Sequence, residues 1–131
     1  AFLNVDFSGK DLNGADFENC KFYHCTFDNA SLVNCNLQNA LFSNCSLYNA
    51  TVEEAELQNA RFFSCNLAKA FFTHSNFKEA VLKSCQTTSS SFMNCCIQNI
   101  ALEETDLPND KMFDSELDWI KNDIPDFEPN M

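Results

Sequence analysis

From residue 2 to residue 107, every fifth position is Leu, Phe, Val or Ile, with Thr87 as the one exception. Two positions before these centres the residue is usually small: seven of the eight cysteines fall there, and eight alanines. The intervening positions are mostly polar. An amphipathic helix needs apolar spacing near 3.6 and a half-buried strand needs 2, so a period of five fits neither. A short period held without a break over about 22 units describes a solenoid, in which each turn of chain stacks on the one before. In each unit two side chains point inward, three point outward, and a corner follows.

The units themselves carry a more specific signal. Ala15-Asp16-Phe17-Glu18-Asn19, Cys35-Asn36-Leu37-Gln38-Asn39 and Ala55-Glu56-Leu57-Gln58-Asn59 follow the pattern Ala-(Asp/Asn)-Leu/Phe-x-x. The chain resembles the pentapeptide-repeat proteins, over about four-fifths of its length. The resemblance implies an all-β solenoid: a right-handed quadrilateral, four-sided parallel β-helix with four repeats per coil. About 22 repeats then make about 5.5 coils. At the ~4.8 Å spacing of hydrogen-bonded strands, the shaft is on the order of 26 Å long.

With four sides per coil, residues 20 apart stack vertically. One inward column contains Phe2, Phe22, Phe42, Phe62, Leu82 and Leu102; another contains Leu12, Leu32, Val52, Phe72 and Phe92. Phe22, Phe42 and Phe62 are core residues on this reading. Replacing Phe62 by Ala is expected to cost about 3–5 kcal/mol. Cys25, Cys45, Cys65 and Cys85 form one vertical ladder. Disulfides within it are disfavoured, because the Cβ vectors of ladder neighbours run parallel while a disulfide dihedral lies near 90°. The cysteines read instead as reduced, buried thiols that act as small hydrophobes, which points to a reducing, cytoplasmic compartment. No Cys-x-x-Cys pair is present, and no metal or other cofactor is expected.

Asn recurs two residues after the centre, where it tolerates turn dihedrals and bonds nearby backbone. One outer side differs from the rest. Around the Phe22/Phe42/Phe62 column the outward residues include Lys21, Tyr23, Leu41, Arg61, Phe63, Val81 and Lys83, with no acid before Glu103. An apolar patch with cationic edges is a candidate face for an unidentified protein partner or for self-association.

Charge modifies this picture mainly at one end. The formal net charge is −11, but residues 1–102 carry nine acids against six bases, while residues 103–131 carry ten acids against two. No basic stripe exists, so direct nucleic-acid binding is not expected. No apolar run approaches a membrane span. The chain begins at Ala1 inside a repeat, so a leader or further coils ahead of this numbering are compatible with the pattern. After Leu107 the phase weakens. Residues 1–107 read as the β-helix, 108–124 as a cap with a short helix in which Phe113, Leu117, Ile120 and Ile124 cover the open core and Trp119 packs on the shaft or serves a dimer contact, and 125–131 as a loose acidic tail.

Catalysis finds no foothold: there is no Gly-rich phosphate loop, no nucleophile elbow and no His beside a Cys or Ser with an orienting carboxylate. The sequence therefore points to a non-enzymatic structural or protein-interaction module. The family resemblance adds an alternative, a DNA mimic that binds a type II topoisomerase such as DNA gyrase and modulates quinolone sensitivity. The weakly charged shaft counts against it.

Overall fold

A computed structural model describes residues 1–108 of the chain. Six short strands lie on one side: β1 (Phe2–Leu3), β2 (Lys21–Tyr23), β3 (Leu41–Ser43), β4 (Arg61–Phe63), β5 (Val81–Lys83) and β6 (Ala101–Glu103). They pair in parallel and in sequence order as one six-stranded sheet. The register advances one coil at a time, with Phe22 opposite Phe42 and Phe42 opposite Phe62. The other three sides are held by single parallel bridges, such as Asp6 to Thr26, Asp11 to Ser31 and Asp16 to Asn36. The result is a four-sided parallel β-helix of about five coils, on the order of 24 Å from first strand to last.

Local chemistry turns the chain at each corner. The residue two after every centre, from Asn4 to Glu104, has positive φ, between 49° and 76°. Left-handed backbone crowds a Cβ against the following carbonyl, and Asn tolerates it better than most residues. Ten of the nineteen non-glycine corner residues are accordingly Asn, and Gly9 and Gly14 take two of the remaining corners. On two sides every described corner is a closed turn, as where Ala30 N–H donates to Phe27 O at 2.9 Å and Ala60 N–H to Leu57 O at 3.0 Å, and on a third the turn closes at Leu12, Phe72 and Phe92. Positive φ at the third residue makes these type II turns. Asp or Asn just before the centre accepts the N–H two residues on: Asp6 from Ser8 at 2.9 Å, Asn76 from Lys78 at 2.9 Å.

The strand side lacks both devices. Ala, Lys, Leu, Arg and Val precede its centres, and none of these side chains accepts a hydrogen bond. No backbone bond closes its corners among the described residues. The segment stays extended, and three residues per coil pair as strand.

The core is stacked rather than interleaved. Phe22 and Phe42 lie 4.9 Å apart at 14°, Phe42 and Phe62 4.7 Å apart at 2°. Phe7 stacks on Phe27 and Phe72 on Phe92 in other columns. Rings of adjacent columns meet edge to face, as Phe22 and Phe27 do at 5.2 Å and 79°. Both geometries suit the aromatic quadrupole. Thr87, the irregular centre, is buried and satisfies its hydroxyl by donating to the Asp106 carbonyl. In the first coil Phe2, Phe7, Leu12 and Phe17 are only partly buried. The expected capping helix with Phe113, Leu117, Trp119 and Ile120, and the tail 125–131, lie outside the described residues.

Candidate interaction face and a thiol-floored groove

The strand side sets its outward residues in two vertical rows. One runs Lys21, Leu41, Arg61, Val81; the other Tyr23, Ser43, Phe63, Lys83. Alternation along each strand buries the centre and turns its neighbours outward. Lys21, Arg61 and Lys83 are exposed, and Tyr23, Leu41, Phe63 and Val81 are half-buried. Each apolar side chain therefore has cationic neighbours across the ladder or on its own strand. Lys83 Nζ lies 3.7 Å from Glu103 Oε2, both side chains more than half exposed. The charges of Lys21 and Arg61 have no such ion pair among the described residues.

The most exposed large hydrophobics are divided between this side, with Leu3 and Leu102 in its first and last strands, and the others, with Tyr48 and Phe71. Leu3 is 66% exposed, below Tyr23 in its row, and Phe71 is 46% exposed on a different side, among Ser31, Thr51 and Ser91. The sequence reading passed over Phe71, although a bulky apolar residue in an outward column of hydroxyls was visible there. Tyr48, also exposed, carries the Lys69 ammonium 5.6 Å from its ring centre.

A second feature follows from the unclosed corner. Along the edge where the strand side ends runs a groove of about 580 Å³. Its floor contains Cys25, Cys45 and Cys65, its rims small polar residues such as Asn44, Ser64 and Ser46. The thiols substitute for the missing turn bond. Cys45 Sγ donates to Phe22 O at 3.4 Å, Cys65 to Phe42 O at 3.2 Å and Cys85 to Phe62 O at 3.3 Å. Each bond ties one coil to the centre of the coil before.

At the opposite corner, two sides away, a column contains Cys35, Ala55, Ser75 and Cys95, and there Ser75 Oγ donates to Val52 O at 2.7 Å in the same manner. None of the eight cysteines is in a disulfide. Their environments differ. Burial pushes the Cys95 thiol up to about 12 from an ordinary 9.0. Within the ladder the adjacent Cys65 thiol lowers Cys45 and Cys85, while its two thiol neighbours and burial raise Cys65 itself. Among the described residues no group of three or more His, Cys, Asp or Glu is arranged to hold a metal ion. No helix among them is long and apolar enough to cross a membrane.

Comparison with known proteins agrees with this architecture. The family model "Pentapeptide repeat region" matches residues 1–72, and the model for the SV2A/B/C luminal domain matches residues 44–121. No curated protein matches the chain. Among solved structures, a pentapeptide repeat protein of the Arabidopsis thaliana thylakoid lumen is 26% identical with a TM-score of 0.68, over 79% of this chain and 68% of that one. A pentapeptide repeat protein of the cyanobacterium Cyanothece 51142 gives 22% identity and a TM-score of 0.55, over 79% and 80% of the two chains. HetL of Nostoc sp. strain PCC 7120, involved in heterocyst differentiation regulation, gives 15% identity and a TM-score of 0.53, over 74% and 45%. With the repeat model matching more than half of its length and the same coil recurring in these structures, the chain belongs to the pentapeptide-repeat family.

Proposed function

We propose that the protein is a non-enzymatic protein-interaction module that docks a partner, or a second copy of itself, on its strand side. The observation that supports this is the pairing of half-buried Tyr23, Leu41, Phe63 and Val81 with exposed Lys21, Arg61 and Lys83, on a side with no acid before Glu103. An apolar centre with a cationic rim suits a surface whose own rim is acidic, because like charges are excluded there and desolvation falls on the apolar middle. The shaft supplies rigidity, so binding orders little of the protein's own backbone. The test is Phe63→Glu. Light scattering should show a change in oligomeric state, or affinity capture should lose a partner retained by the unsubstituted protein. If neither measurement changes, the strand side is not the site.

The topoisomerase alternative has less in its favour. A DNA mimic needs continuous anionic walls, whereas residues 1–102 carry nine acids and six bases and the strand side is cationic. A supercoiling assay in which the added protein inhibited DNA gyrase would restore it. The reduced cysteines support a cytoplasmic location, while the likeness to luminal proteins supports a luminal one. Fractionation of the source cells separates the two.

A further inference from the structure

Four cysteines of the ladder stand in successive coils with no interruption, and three of them floor a groove that opens to solvent. Parallel coils in register displace equivalent atoms by about 4.8 Å. A metal–thiolate bond is about 2.3 Å long, so two collinear bonds span about 4.6 Å. An ion placed midway between vertically adjacent sulfurs therefore fits without moving the backbone. Thiolates favour soft ions, Cu(I) among them. No third donor among the described residues converges with these sulfurs to hold a metal, which disfavours Zn(II), a four-ligand ion.

We propose that vertically adjacent thiols of Cys25, Cys45, Cys65 and Cys85 bind a soft monovalent cation of the Cu(I) class between them, with Cys45 and Cys65 as the central rung. Binding is an exchange: two S–H bonds break, two metal–sulfur bonds form, and two protons leave through the groove. The metal keeps its oxidation state, and the two thiolates and one cation leave a single negative charge. The hydrogen bonds to the Phe22 and Phe42 carbonyls are given up in the process. This site is separate from the strand side and does not depend on the interaction proposed there.

The molecule carries its own control. Cys35 and Cys95 are also buried and also donate to carbonyls of the preceding coil, but Ala55 and Ser75 separate them, so neither has a vertical thiol neighbour. Ser75 shows that Ser fits an inward corner with the same bond. The double variant Cys45→Ser/Cys65→Ser should therefore fold, and it leaves no adjacent pair. Cys35→Ser/Cys95→Ser removes as many thiols and keeps every pair.

The experiment is anaerobic competition for Cu(I) against a chromogenic chelator, with far-ultraviolet circular dichroism to verify folding. The unsubstituted protein and Cys35→Ser/Cys95→Ser should withdraw Cu(I) alike, and Cys45→Ser/Cys65→Ser should bind weaker by roughly a hundredfold or more. Failure of the unsubstituted protein to compete, equal binding by the folded ladder variant, or equal loss in the control variant would each overturn the assignment.

Discussion

Phe42 is the residue on which the stacked core is best tested. It is fully buried and lies between two nearly parallel rings, Phe22 at 4.9 Å and Phe62 at 4.7 Å, with Phe27 edge-on at 5.7 Å. Replacing it by Ala removes the transfer free energy of the ring and leaves a cavity that hydrogen-bonded coils cannot close, a combination that costs about 3–5 kcal/mol for buried Phe. Loss of two stacked pairs, at ~0.5–1.5 kcal/mol each beyond burial, places the substitution at the upper end of that range. Phe62 has a ring on one vertical side only, since Leu82 follows it in the column, so Phe62→Ala should cost less than Phe42→Ala.

Leu is already a column member at position 82 and fully buried. Phe42→Leu should therefore cost about 1–2 kcal/mol, mostly lost stacking and volume. Urea unfolding followed by circular dichroism measures all three. With a slope of roughly 1–3 kcal/mol per molar urea, a loss of about 4 kcal/mol moves the midpoint by more than 1 M. The stacked-column account fails if Phe42→Ala costs less than about 2 kcal/mol, or if Leu at position 42 costs as much as Ala.

Three further outcomes are expected. Glu54 has a corner φ of 53°, so Glu54→Asn should raise the thermal midpoint by an amount equivalent to about 0.5–1 kcal/mol, because Asn tolerates left-handed backbone better than Glu; no change or a fall would mean that the corners are not strained. Ser75 Oγ accepts Ala55 N–H at 3.1 Å and donates to Val52 O, so Ser75→Ala should cost about 1–3 kcal/mol in a denaturation curve by leaving both backbone groups short of a partner. Alkaline pH should destabilise the fold: the Cys95 thiol ionises near its ordinary 9.0 when unfolded but only near 12 when folded, so stability present below pH 9 is lost as pH rises toward 12. In Cys95→Ser the slope of stability against pH over that window should be shallower, and an unchanged slope would refute the assignment to Cys95.

The inward set was legible because a coil repeats its environment. Any position facing the axis meets only other inward side chains, so Phe22, Phe42, Phe62 and the cysteines two before each centre declare themselves by spacing alone. The corners were legible for a similar reason, since Asn at a fixed offset marks left-handed backbone. Thr87 broke the pattern in the sequence, and its burial required a partner that spacing does not reveal, the Asp106 carbonyl 19 residues on.

The sequence by itself determined a five-residue coil, its inward residues and its corners, because those depend on local dihedrals and on a period. Only the tertiary structure decided how the four sides differ. One side lacks side chains able to catch the backbone, so it stays extended, pairs as a sheet and leaves its corner unclosed. Cysteine thiols then take carbonyl partners one coil away, and a groove opens above them. Those contacts join residues 20 and more apart through stacking, and no single repeat contains the information that its neighbour above will supply the missing atom.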